Sequence, residues 1–207
     1  MDASLAASTQ AVYERQAKRF DAERPKSLHE QAWLDRFLAM VEPRGRVLDL
    51  GCGGGDPIAA YMMERGFEVV GVDASEAMLA IARGRFPEGD WRNADMRRLN
   101  LPESFHGIIA WDSFFHLMAE EQRSVLPRLA GHMTEGAALL LTVGPEAGEV
   151  GGWVGGEAVY HASLAPAEYE ALLHELGVEI QEFVPDDPSC DGHTILLAKK
   201  SLARAGD

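Results

Sequence analysis

Nine consecutive residues, Asp49-Leu50-Gly51-Cys52-Gly53-Gly54-Gly55-Asp56-Pro57, hold most of the chemical promise of this chain. Glycines in a bend let the main chain turn tightly and let a ligand touch backbone atoms that side chains would otherwise shield. In the dinucleotide pattern G-x-G-x-x-G the third glycine falls at position 56, where this chain has Asp56. A diphosphate would meet a carboxylate there, so the loop points to a nucleoside ligand without phosphates. A second acidic position, Asp73, closes the apolar run Glu68-Val69-Val70-Gly71-Val72. Open α/β sheets bind ligands outside the carboxyl ends of their strands, where strand order switches, and both segments belong at that edge.

The elements that must present these residues follow from apolar spacing. Arg46 to Leu50 and Glu68 to Asp73 are short apolar runs bounded by turn residues, hence buried strands. Asp56 as N-cap and Pro57 at the first helical position predict a helix reaching about Arg65, with Gly66 ending it. Ser75, Glu76 and Met78 open another helix. A weak third strand over Trp91 to Ala94, a fourth over Gly107 to Trp111, a helix from Ala119 to Met133 and a fifth strand over Ala137 to Val143 continue the alternation. A helix over Pro166 to Leu176 precedes two closing strands, Val178 to Val184 and Thr194 to Ala198, which lack a helix between them and should pair antiparallel. Ahead of everything stand two helices, Gln10 to Phe20 and Ala32 to Val41. The predicted class is α/β: a doubly wound, mostly parallel seven-stranded sheet with helices on both faces, an antiparallel C-terminal strand and an N-terminal helical extension. One domain is expected over 1–207, with a helical cap over 1–44 and the core over 45–200.

With these motifs in order, the chain resembles the class I, Rossmann-like S-adenosylmethionine-dependent methyltransferases. Their first motif, acidic-x-Gly-x-Gly-x-Gly, is matched by Asp49, Gly51, Gly53 and Gly55, with Cys52 inside it. Val69 to Leu79 is similar to the family's second strand and its acidic end. The resemblance implies that Asp73 receives both ribose hydroxyls, with Ala74 and Met78 beside it. Ala94-Asp95-Met96 resembles the segment that brackets adenine, Asp95 accepting from the exocyclic amine and Met96 adding apolar surface. Ile109-Ala110-Trp111-Asp112-Ser113 matches the end of the fourth strand, beside the reacting sulfonium. Asp49 is implied as an orienter of the glycine loop or an acceptor for the ligand ammonium. Tyr13 and Arg24 resemble a pair that closes over the methionine part, an Arg fork suiting its carboxylate. Two departures stand out: Phe105-His106-Gly107 where many relatives have Phe-Asp, and Thr134-Glu135-Gly136 in place of Pro-Gly-Gly.

The implied reaction is methyl transfer from S-adenosylmethionine to an oxygen or nitrogen of a small molecule by in-line displacement, leaving S-adenosylhomocysteine. An acceptor that must lose a proton needs a base, and the candidates are His116, His161 and Asp112. Residues 144–162 form a glycine-rich segment with Trp153, Tyr160 and His161. It is expected either to cover the acceptor, those three residues lining the pocket, or to form a surface hairpin with an anchoring aromatic. Other readings are a nicotinamide-dependent oxidoreductase, a non-catalytic binder of the cofactor, or a methyltransferase acting on protein.

Composition narrows the partners. The formal charge of −14 repels phosphate backbones and anionic membranes, so neither nucleic acid nor membrane is an expected partner. Two cysteines, Cys52 and Cys190, provide no disulfide framework and no C-x-x-C spacing, and no metal is expected. Met1 to Ala11 has no signal-peptide character and no apolar run is long enough to span a membrane, so a cytoplasmic location is expected. Oligomeric state has no signature in the sequence.

Overall fold

The computed structural model describes residues 3–202. The ends of the expected domain, residues 1–2 and 203–207, lie outside the described residues. Helices α1 (Ala3–Glu23) and α2 (Gln31–Met40) precede a core of β1 (Arg46–Leu50), α3 (Ile58–Glu64), β2 (Glu68–Asp73), α4 (Glu76–Arg85), β3 (Asp90–Asn93), β4 (Phe105–Ala110), α5 (Ala119–His132) and β5 (Met133–Val143). There follow β6 (Gly148–Val154), β7 (Glu157–Ser163), α6 (Pro166–Glu175), β8 (Val178–Asp187) and β9 (His193–Lys200).

Seven strands make the main sheet in the order β3-β2-β1-β4-β5-β9-β8. All neighbouring pairs are parallel except those of β9, which runs antiparallel to both β5 and β8. The order reverses between β2-β1 and β4-β5, which opens a crevice at the carboxyl ends of β1 and β4. Alternate strand residues feed two cores. Leu48, Leu50, Ile108, Ala110, Leu139 and Leu141 pack with Leu126 and Leu129 of α5 and with Tyr169 of α6. On the other face Val47, Ile109, Leu140 and Leu197 pack with Phe37 of α2, Met62 of α3 and Leu79 of α4. Burial on both faces is why these strands read as continuous apolar runs.

Three local expectations are corrected. Helix α3 begins at Ile58, with Pro57 as its N-cap residue and no side-chain cap. Asp56 instead faces Lys26, whose Nζ donates to the Asp56 carbonyl at 2.9 Å and lies 3.5 Å from its carboxylate. Thr134-Glu135-Gly136, expected ahead of the fifth strand, lies within β5, which already pairs at Met133 with Phe105 and shifts register before Gly107. Such a bulge absorbs extra residues without ending the strand. Helix α1 is also longer than its apolar spacing suggested, because it extends through the alanine-rich stretch ahead of Gln10.

Residues 144–162 are not a structureless loop. Strands β6 and β7 form a separate antiparallel hairpin turning at Gly155-Gly156. It is fastened to α1: the Tyr160 N–H donates to Thr9 Oγ1 at 3.0 Å, Gln16 Nε2 to Glu157 at 2.7 Å, and Arg19 Nη1 to the Gly155 carbonyl at 3.0 Å. Val12, Val154 and Val159 form a small core between them. Helix and hairpin together cap the carboxyl edge of the sheet. No described helix is long and apolar enough to cross a membrane.

Candidate functional site

Two adjoining cavities occupy that edge. The first, with an empty volume of about 1160 Å³, lies over the ends of β1 and β2 and under α1. It brings together Tyr13, Arg24, Asp49, Gly51, Cys52, Gly53, Asp73, Ala74, Met78, Asp95, Met96, Trp111 and Asp112, the full set named for the cofactor. The second, of about 1090 Å³, lies between the hairpin and the β8–β9 turn and contains Phe115, His161 and His193. Asp112 belongs to both walls.

The floor of the first cavity is main chain. Gly51 and Cys52 donate their N–H groups to the Val72 carbonyl at 2.7 and 3.1 Å, folding the loop onto β2. Gly51 sits at φ +81°, and a Cβ there would come within 2.3 Å of Ser113 Cβ, so both backbone shape and packing demand glycine. At Gly53 (φ +53°) a Cβ would meet nothing within 4 Å, so the bare backbone there faces open space. Asp73 joins these parts: Oδ2 accepts from the Gly53 N–H at 2.9 Å and Oδ1 from the Ser75 N–H at 2.8 Å. Each carboxylate oxygen retains a further acceptor site. Burial pushes the Asp73 carboxyl up, against these backbone hydrogen bonds, which favour its ionised form.

Asp49 is 3% exposed, and its carboxylate makes no hydrogen bond among the described residues. Burial pushes its carboxyl up to about 7, with Arg24 pulling it down and Asp73 raising it. At the far end Asp95 caps the short helical turn Met96–Arg98, accepting from the Arg97 N–H at 2.9 Å and pairing with its guanidinium. Burial raises the Asp95 carboxyl, but Arg97 outweighs it and leaves it below the ordinary value. Cys52 is half-buried, and burial holds its thiol protonated.

Helix α1 supplies the roof. The Glu14 carboxylate accepts from Ser75 Oγ at 2.7 Å and from the Ala77 N–H at 3.1 Å, which ties α1 to the start of α4. His116 Nδ1 lies 2.8 Å from the Tyr160 carbonyl, which can only accept, so Nδ1 carries the proton and Nε2 accepts from the Tyr13 hydroxyl at 2.9 Å. Burial pushes the His116 pKa down to about 4 and that of Tyr13 well up. Both nitrogens of His116 are therefore engaged, and it joins sheet edge, roof helix and hairpin.

Where the cavities meet, Asp112 adopts φ +50°, with its N–H on Thr142 Oγ1 at 2.8 Å. His193 Nε2 donates to Asp112 Oδ1 at 2.9 Å, and Arg24 bridges Asp112 (3.4 Å) and the fully buried Glu30 (3.1 Å). Burial would raise the Asp112 carboxyl, yet His193 and Arg24 hold it below the ordinary range. The hydrogen bond to Asp112 in turn lifts His193 to about 9, so the two form an ion pair at neutral pH. The Trp111 ring lies against His193 at 5.4 Å, and its Nε1 is buried without a partner among the described residues. His161 faces the second cavity, packed on Phe115 at 4.5 Å and His116 at 4.9 Å, and burial lowers its pKa.

Two residues named for the acceptor lie elsewhere. Trp153 is 74% exposed and lines neither cavity; it pairs with Ala158 beside the Gly155-Gly156 turn. Tyr160 is the aromatic that anchors the hairpin: it is 1% exposed and its hydroxyl donates to Glu149 at 2.9 Å. Sequence reasoning missed His193, Glu30 and Gln10. His193 and Glu30 carry no local pattern, whereas Gln10 was readable as part of α1 but its bond to the Ala74 carbonyl at 3.0 Å was not.

A family model described as a methyltransferase domain matches residues 47–136. The ubiquinone biosynthesis O-methyltransferase of Stutzerimonas stutzeri (strain A1501) is 31% identical over 103 residues, which is 44% of this chain and 43% of that protein. The chain spans less than half the length of the curated relatives it matches. Among solved structures, the CcbJ methyltransferase from Streptomyces caelestis superposes with a TM-score of 0.73 at 19% identity, covering 94% of this chain and 99% of that one. The S-adenosylmethionine-bound amino pentose methyltransferase CalS10 from Micromonospora echinaspora gives 0.70 at 21%, covering 92% and 97%. Residues 47–136 thus match the model of a methyltransferase domain, and the described structure around them has the fold of the class I S-adenosylmethionine-dependent methyltransferases it superposes on.

Proposed function

We propose that this protein transfers a methyl group from S-adenosylmethionine to an oxygen or nitrogen of a small molecule, with the cofactor in the first cavity and the acceptor in the second. The observation that carries this reading is the Asp73 carboxylate, clamped by the Gly53 and Ser75 amides beside bare backbone. Its remaining acceptor sites suit two ribose hydroxyls, and the unpartnered Asp49 carboxylate suits an ammonium. Met78 and Met96 offer apolar surface to a purine. A diphosphate would instead meet Asp49, Asp56 and Asp73, which disfavours a nicotinamide dinucleotide.

When bound, the cofactor supplies an electrophilic methyl on a sulfonium with a good leaving group. The chain then has to align and to exclude water, and such positioning can lower a barrier by roughly 7–11 kcal/mol. Asp112, held by His193 and Arg24, stands at the junction where acceptor and methyl would meet. His116, with both nitrogens engaged, orients Tyr13 in the roof. His161, kept neutral by burial and facing the acceptor side, is the side chain best disposed to take a proton. The hairpin serves as a wall of the acceptor cavity. Mobility of that wall on ligand binding is part of the proposal, and protection of the Gly151-Gly152 region from proteases by cofactor plus acceptor tests it. The amino pentose named for CalS10 is a small molecule, which agrees with this class of acceptor.

Calorimetry with S-adenosylhomocysteine tests the assignment. One-to-one binding that collapses in Asp73→Ala is expected, together with no change in NADH fluorescence on titration. Absence of binding, or equal affinity in the variant, would overturn it. Turnover with small-molecule acceptors separates an enzyme from a binder.

A further inference from the structure

We propose that His29, Cys190 and His193 form a binding site for one zinc-class divalent cation, joining the α1–α2 connection to the β8–β9 turn. One donor atom from each of the three residues lies within 4.8 Å of the others. Cys190 is 1% exposed at the end of the helical turn Pro188–Cys190, and His193 opens β9 three residues later. Asp191 and Gly192, both at positive φ, reverse the chain between them. Two imidazoles and a thiolate are the nitrogen and sulfur donors that zinc takes in four-coordinate sites, and three protein ligands leave one position for water.

The surroundings match those of ligating imidazoles, which almost always turn their other nitrogen toward a carboxylate, a carbonyl or water. His29 Nδ1 lies 3.3 Å from Glu30 Oε2, a charge contact without hydrogen-bond geometry, while its Nε2 is buried with no hydrogen-bond partner among the described residues. That orphan nitrogen is the second observation pointing to a ligand, since a buried polar atom left unpaired is costly. His193 Nε2 is held by Asp112 at 2.9 Å, which leaves Nδ1 as its ligating atom. Nδ1 now lies 2.7 Å from the Cys190 carbonyl. Binding is an exchange without redox change: the cation enters, and the Cys190 thiol proton and the His193 Nδ1 proton leave to solvent. The Glu30 and Asp112 carboxylates help to balance the incoming charge.

This departs from the expectation of no metal, which rested on spacing along the chain. Cys190 and His193 are close in sequence, but His29 reaches them only through the packing of the N-terminal segment. The proposal stands apart from the methyl-transfer reading, because metal binding is read without cofactor or acceptor.

Titration of the metal-free full chain with cobalt(II), followed by zinc, tests it. One equivalent of cobalt is expected to give a thiolate-to-cobalt charge-transfer band with the intense d–d bands of a tetrahedral ion, bleached by one equivalent of zinc. Cys190→Ser should abolish the charge-transfer band, His29→Ala should weaken cobalt binding by about tenfold or more, and Cys52→Ser should leave it intact. Circular dichroism and thermal melts report whether each variant folds. No charge-transfer band in the wild-type chain, or one that survives Cys190→Ser, overturns the site. Where Cys190→Ser does not fold, His29→Ala decides, and an unaltered cobalt affinity overturns it equally.

Discussion

The two cavities that meet at Asp112 are built by opposite means. The first rests on main chain: the 51–55 loop is folded back by amide hydrogen bonds to Val72, and Asp73 holds two further amides. The second is walled by side chains from the end of β4, the β6–β7 hairpin and the β8–β9 turn, held by ion pairs such as Asp112 with His193. Backbone amides fixed by a short loop have little freedom to adjust. Side chains brought from distant elements adjust by rotamer. The floor of the first cavity is therefore set locally, while the walls of the second cavity can change without disturbing it.

Substitutions can break or sharpen this contrast. The largest effect is expected for Gly51→Ala, which forces a left-handed conformation and a 2.3 Å clash with Ser113. It should cost about 2–5 kcal/mol of stability, read by urea denaturation, whereas an unchanged midpoint would mean that the floor is as adaptable as the walls.

Asp73→Ala removes the clamp and, under the proposed assignment, the ribose acceptor. Cofactor affinity should fall tenfold or more, by about 1.5–3 kcal/mol, in calorimetry on a variant that still melts cooperatively.

A smaller effect concerns Asp49, whose carboxyl burial pushes up to about 7. An ammonium favours the ionised form, so cofactor affinity should be highest above pH 7 and should weaken as pH falls through that value. The slope is at most about tenfold per pH unit. A flat profile in the wild-type chain, or the same slope in Asp49→Asn, would remove Asp49 from the site.

Smallest of all should be Trp153→Ala beside the turn of the hairpin, within about 0.5 kcal/mol in stability and with turnover unchanged. A loss of turnover would show that the hairpin closes further than its present position.

Much of the first region was legible in the sequence because its parts are contiguous. Asp49 to Asp56 and Val69 to Ser75 each span a strand end and the turn after it, and a parallel sheet brings successive strand ends to one edge. The antiparallel placement of β8 and β9 was legible too, since nothing between them could form a crossover. The hairpin was half legible: its glycines marked a special segment, but which aromatic anchors it depends on how far from the turn each one lies against the rest of the fold. Trp153 pairs with Ala158 beside the turn and Tyr160 with Gly151 two positions further in, so both lie on the same face of the hairpin and still meet opposite fates, solvent and core.

By itself the sequence determined the alternation of strands and helices, the bare-backbone bend after β1 and the acidic ends beside it, because period, turn chemistry and strand polarity act over a few residues. Only the tertiary structure decided that His193 pairs with Asp112, that Arg24 bridges Asp112 to a buried Glu30, and that His116 has no free nitrogen. Those outcomes depend on burial and on partners tens of residues away, and the free energy of a charge or hydrogen bond is set by what surrounds it.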